Sequence, residues 1–165
     1  MRRQHLRQSP VGLDATVKRA LTRYRVAHLA TADLRGRPHV VPICFVVKRM
    51  TLYSVIDRKP KRVPALRLRR LRNLAENPHV AVVVDRYSDD WTQLNWVLVQ
   101  GTARLLESGP EHTAALRSLR AKYPQYRPMD LGNRPVIAVD IKRASRWGRL
   151  GIATAEKKPA GRRQG

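Results

Sequence analysis

The stretch Thr51 to Arg62, TLYSVIDRKPKR, runs a short apolar strand directly into four cations and a proline. Fixed positive charge at a strand end is an anion seat, because charge-assisted donors held in a turn suit a phosphate or carboxylate. Arg58, Lys59, Lys61 and Arg62 have Asp57 as their neighbouring acid, Pro60 restricts the turn, and Ser54 adds a hydroxyl just before it. Pro64 then opens a helical run, Ala65 to Glu76, that contributes Arg67, Arg69, Arg70 and Arg72. The same charges would also suit a solvated basic face, and charge alone does not separate the two readings.

Other constellations are thin. The sequence contains no G-x-G-x-x-G, Walker, G-x-S-x-G or H-E-x-x-H pattern. The five histidines, at 5, 28, 39, 79 and 112, stand singly without a carboxylate or second histidine at ligand spacing, which favours structural or solvated roles. Asp89 and Asp90 form an acidic pair, a pattern that more often caps a turn than performs acid–base chemistry. Trp91 and Trp96 could wall a planar ligand or simply pack. The single cysteine, Cys44, lies in the apolar run Val40 to Val47 and reads as a core residue.

A chain of 165 residues that is 42% hydrophobic can bury one real core, so one domain is expected over 13–150, between a flexible N-terminus (1–12) and a basic disordered tail (151–165). No apolar stretch approaches the roughly 18 residues of a membrane span. Met1-Arg-Arg-Gln-His is not followed by the apolar run of a secretory signal, which predicts a cytoplasmic protein without membrane attachment. The net charge of +22, from 34 basic against 12 acidic residues, predicts attraction to polyanions, including nonspecific nucleic-acid contact. Dedicated nucleic-acid binding is the competing function, but only 5% of residues are aromatic, leaving few rings for base stacking.

The elements that must position the basic loop follow from periodicity. Leu13, Val17, Ala20, Leu21 and Tyr24 predict an amphipathic helix over 13–25 with Asp14 in its first turn. Strands are predicted over 26–32, 38–47, 51–56, 80–85, 93–106 and 136–141, the first two joined by the turn Leu34-Arg35-Gly36-Arg37. The 38–47 strand is nearly continuous in apolar residues and is expected to be buried on both sides, with Pro42 marking a bulge or an edge. A helix is expected from Ser108 as cap, with Glu111 reaching back to it, as far as Tyr123-Pro124. Six strands with short links and peripheral helices predict an α+β, mainly β, antiparallel barrel rather than a doubly wound sheet.

In this order, Val26-Ala-His-Leu-Ala-Thr-Ala32, Gly36-Arg-Pro-His-Val-Val-Pro42, Tyr53-Ser-Val-Ile-Asp-Arg-Lys-Pro-Lys-Arg62, Leu71-Arg-Asn-Leu-Ala-Glu-Asn-Pro78, Asp90-Trp91, Trp96-Val-Leu-Val-Gln-Gly101 and Lys122-Tyr-Pro-Gln-Tyr126 together resemble the pyridoxamine 5'-phosphate oxidase-like split-barrel proteins. Within them they are most similar to the branch of deazaflavin (coenzyme F420)-dependent oxidoreductases. The resemblance spans residues 13 to 147 and departs in its high basic charge and Arg-rich helix. It implies a six-stranded Greek-key split β-barrel, the FMN-binding split barrel, that forms a homodimer with the cofactor at the subunit interface. It implies coenzyme F420, or FMN as the alternative, with hydride passed to an unsaturated small-molecule substrate. Carried onto this sequence, the cofactor-binding positions are Ser54, Val55, Ile56, Asp57, Lys59, Lys61 and Arg62, with Pro42 and Trp96. No catalytic side chain and no metal are implied, since such a cofactor carries the redox chemistry itself.

Overall fold

The computed structural model describes residues 7–9 in their backbone, and 13–57 and 68–150 in full. Eight strands are present: β1 (Arg7–Ser9), β2 (Ala27–Ala32), β3 (Pro38–Ile43), β4 (Val46–Lys48), β5 (Thr51–Val55), β6 (His79–Arg86), β7 (Asn95–Leu106) and β8 (Val136–Gly148). Three helices accompany them: α1 (Ala15–Arg23), α2 (Arg69–Glu76) and α3 (Pro110–Lys122). Every pairing is antiparallel, in the order β3-β2-β6-β7-β8-β5-β4, with β1 attached to β8. The architecture is mainly β with peripheral helices, as expected, and it has the form of a split barrel.

The curl of the sheet follows from one short link. β3 and β4 lie at opposite ends of the strand order, yet only Cys44 and Phe45 separate them in sequence. Three Cα steps from Ile43 to Val46 reach at most about 11 Å, so the two edges must come round to face each other. Phe45 is buried within this link, and its backbone groups fall outside both ladders. The Tyr123 hydroxyl, itself buried, accepts from the Phe45 N–H at 2.9 Å. Its proton lies within reach of the carbonyls of Phe45 (2.8 Å) and Arg25 (2.9 Å). Lys122 sits over the Phe45 ring at 4.0 Å and donates to the Leu21 carbonyl at 3.2 Å, tying the end of α3 to the end of α1.

Several expectations are corrected in detail. The strand expected over 38–47 is broken at Cys44-Phe45. Its first part is not buried on both sides, because Pro38, Val40 and Pro42 are exposed while Ile43 is buried, the alternation of a one-sided edge strand. Pro42 lies on that edge, where its missing N–H costs no ladder bond. Among the described residues the count rises from six strands to eight because the 38–47 strand is divided into β3 and β4, and because β1, three residues long, is too short for periodicity to reveal. β1 also falls inside the stretch expected to be flexible. β8 runs to Gly148 rather than Ile141: its first half pairs with β5, its second with β1, and both with β7. A bulge at Gln100/Gly101 lets β7 follow this bend, and a Cβ at Gly101 would stand 2.2 Å from the Asp140 carbonyl oxygen.

Helix starts also differ. Asp14 is the N-cap of α1, its Oδ1 accepting from the Val17 N–H at 2.8 Å. The α3 cap is Gly109 rather than Ser108. Glu111 does not reach back but takes two bonds from Arg104, at 2.7 and 2.9 Å, and one from the Tyr53 hydroxyl at 2.8 Å. The start of the helix expected at Ala65 lies outside the described residues, where α2 begins at Arg69.

Two expected outcomes follow from the Phe45 link. Tyr123→Phe leaves the buried Phe45 N–H unpaired and should lower unfolding stability by about 1–3 kcal/mol in denaturant titrations; an unchanged midpoint would remove this hydroxyl from the fold's supports. Burial, with the Arg25 charge, lowers the Lys122 pKa to about 8 from its ordinary 10.5. Above pH 8 the unfolded chain therefore binds more protons than the folded one, and the lysine's destabilising contribution fades as pH rises. Wild-type stability should thus gain on that of Lys122→Met between pH 8 and pH 10, a window below the Tyr123 ionisation, which burial pushes up to about 12.

Candidate cofactor site

β5 carries the first of the residues expected to form the anion seat, Ser54 to Asp57. Its side chains alternate between the two cores: Leu52 and the following Ile56 belong to the main core, while Tyr53 and Val55 pack beneath α3. Ser54 is buried on the Leu52 side, while Val55 and Ile56 are buried in the two separate cores. Asp57, also buried, accepts from the Tyr126 hydroxyl at 3.0 Å. Burial above all, with Cys44 and Asp57 nearby, holds the Tyr126 phenol above its usual range, so it remains a donor to that carboxylate. The remaining expected ligands, Lys59, Lys61 and Arg62, lie outside the described residues.

The structure adds two residues that sequence reasoning did not assign to the site. α2 packs over β2 with Leu71 and Asn73 buried, and this register turns Arg70 inward. Among the described residues the Arg70 Nε is buried without a hydrogen-bond partner, and so is the Nδ1 of His39 on β3. Burial lowers the Arg70 pKa, opposed by the Asp57 carboxylate. Burial, followed by the charges of Arg69 and Arg70, holds His39 below its ordinary pKa and thus in its neutral form. Buried polar atoms are seldom left unpaired, and a guanidinium least of all. These two polar groups, coupled to each other electrostatically and, through Arg70, to Asp57 at the end of β5, suit a phosphate: Arg70 supplies charge and His39 a ring nitrogen. The signal was available as the inward phase of Arg70 on a helix whose neighbours Leu71 and Leu74 are apolar, but the run of arginines concealed it.

Pro42 and Trp96 occupy a different surface. They lie on the outward face of the sheet, where rows of paired residues cross it: Pro42, His28, Val83 and Leu98 in one, and Val40, Ala30, Ala81 and Gln100 in the next. Trp96 stands between Asp85 and Trp147 on the same face. Val40 is 58% exposed, so a mainly apolar face is left open to solvent. The other tryptophan, Trp91, is exposed in a short 3-10 turn that Asp90 caps by accepting from Thr92 and Gln93. The turn-capping role of the Asp89-Asp90 pair therefore prevails for Asp90. Cys44 is half-buried against the core beneath α3. His112 is structural, with Nε2 2.8 Å from the Arg134 carbonyl. Among the described residues no cluster of three metal-ligating side chains occurs, and no helix is long and apolar enough to cross a membrane.

Comparison with known proteins agrees with this arrangement. No curated protein matches the chain. Among solved structures, a conserved hypothetical protein, Rv2991, from Mycobacterium tuberculosis superimposes with a TM-score of 0.69 at 17% identity, covering 92% of this chain and 98% of that one. An FAD-binding protein from Mesorhizobium loti gives 0.61 at 24% identity, covering 87% and 99%. The heme storage protein HutZ from Vibrio cholerae gives 0.60 at 16% identity, covering 79% and 91%. These likenesses establish the shared fold. The family profile described as pyridoxamine 5'-phosphate oxidase matches residues 13–148, nearly the whole described chain, and the protein belongs to that family.

Proposed function

We propose that the chain is a flavin-type oxidoreductase whose cofactor phosphate is held between β3, the end of β5 and α2. The observation that carries this reading is that, among the described residues, Arg70 Nε and His39 Nδ1 are buried without hydrogen-bond partners, with the Arg70 charge felt by both His39 and Asp57. Ser54 lies in the same strand end, and the cations Lys59, Lys61 and Arg62 follow it in sequence. When bound, the cofactor supplies hydride transfer; the protein binds its phosphate, orients its ring and excludes water. Coenzyme F420 is the cofactor proposed, with FMN the alternative, because the four cations after Asp57 suit the more anionic ligand. The substrate class is an unsaturated small molecule. That a structural relative is an FAD-binding protein supports a flavin-type ligand in this fold.

The outward face bearing Val40, Pro42, Leu98 and Trp96 is assigned to a second copy of the chain, so that the cofactor ring lies against a subunit interface in a homodimer. An apolar face of this breadth is costly to leave in water, and a copy of the same chain covers it symmetrically.

Arg70→Gln separates ligand binding from folding. Difference absorbance titration should show flavin or deazaflavin binding weakened by about 1.5–3 kcal/mol, the range for a hydrogen bond to a charged group. The melting temperature of the ligand-free variant should stay nearly level, because relief of the guanidinium's desolvation offsets the lost attraction to Asp57. Wild-type affinity in this variant would take the phosphate away from α2. For assembly, light scattering at micromolar concentration should report a dimer, and a monomer that still binds cofactor tightly would eliminate the interface.

A further inference from the structure

Beyond the phosphate seat, α2 and the β2–β3 turn enclose a groove of about 310 Å³ lined by Asp33, Arg37, Arg69, Arg72, Asn73 and Glu76. Both acids are committed to the turn. Asp33 Oδ1 accepts from the N–H groups of Arg35 and Arg37, each at 3.0 Å, and Oδ2 takes the Arg37 Nε at 2.7 Å. Glu76 Oε2 accepts from the Leu34 N–H at 3.2 Å. Arg69 and Arg72 remain exposed, and among the described residues neither donates to a carboxylate or carbonyl. The floor connects the groove to the seat: Asn73 Nδ2 donates to Thr31 Oγ1 at 3.0 Å, and that hydroxyl donates to the His39 carbonyl at 3.4 Å. Arg69, at the groove, is also close enough for its charge to act on His39.

We infer that this groove is a second anion subsite, which takes the negatively charged extension that a cofactor carries beyond its first phosphate. The inference rests on the phosphate seat proposed above and deepens it. A ligand ending in one phosphate is satisfied at Arg70 and His39 and leaves Arg72 without an acceptor. A ligand that continues past that phosphate with another anionic group enters the groove, where Arg69 and Arg72 are the donors without an internal acceptor. The extension is either the carboxylate tail of a deazaflavin or the second phosphate of a flavin dinucleotide, and both present the same chemistry to a guanidinium.

The test is Arg72→Gln in the full chain, with dissociation constants measured for FMN, FAD and coenzyme F420 at low and at physiological salt. Arg72 is exposed and lies outside the seat, so FMN affinity and the melting temperature should match wild type. Affinity for at least one of the extended ligands should fall by about three- to tenfold, more at low salt, as expected for an exposed charge pair. Loss with F420 alone identifies the carboxylate tail, and loss with FAD alone identifies the second phosphate. Unchanged binding of both extended ligands, or an equal loss for all three, overturns the inference while leaving the seat intact. Absence of any flavin binding by the wild-type chain overturns the seat, and the groove with it.

Discussion

The Tyr123 hydroxyl is the contact on which the rest of the structure depends. The chain must step from one sheet edge to the other across Cys44 and Phe45, and in doing so it takes Phe45 out of both ladders at a buried position. Buried backbone groups left unpaired would oppose that step. One phenol answers it by accepting from the Phe45 N–H while directing its proton at carbonyls on two segments. Because the Tyr123 side chain is carried on the turn after α3, the helix between β7 and β8 becomes the clasp of the barrel. Three residues on, Tyr126 extends the same clasp to Asp57 at the end of β5. Fold closure and the candidate site thus share the five residues from the end of α3 through the turn, Lys122-Tyr-Pro-Gln-Tyr126.

On the proposed reading, paired acids, triads and metal ligands are not required. Chemistry carried by a bound redox group asks the protein for a shaped, water-poor cradle with a few fixed donors. Such donors are recognised by what they lack. Among the described residues Arg70 Nε and His39 Nδ1 are buried with no partner, whereas the more conspicuous acidic pair ends in an ordinary turn cap at Asp90.

Much of the fold was legible in the sequence because it is written in local periodicity. The α1 face of Val17, Ala20 and Leu21, the alternation along β7, and the Gly36 turn between β2 and β3 all lie where the pattern of residue types places them. The features that escaped depend on distant partners. β4 is only Val46–Lys48 and exists because β5 pairs with it. The second half of β8, with Lys142, Arg143 and Arg146, carries too much charge to announce a strand, yet its pairing with β7 holds it extended. In the site, the strand end from Ser54 to Asp57 could be read from its junction with the basic loop. The contribution of His39 could not, because it requires knowing that α2 folds back over β2 and β3.

The two ends of the strand order have one further consequence. β3 presents its free edge with Pro38 and Pro42, neither of which has an N–H to offer, and β4 presents an edge only three residues long. An incoming extended chain would find one margin with two of its donors missing and the other only three residues long. Self-association by continuous strand addition, the route toward fibrillar stacking, is therefore disfavoured at these two margins. Contact through faces is the easier way for molecules of this protein to meet.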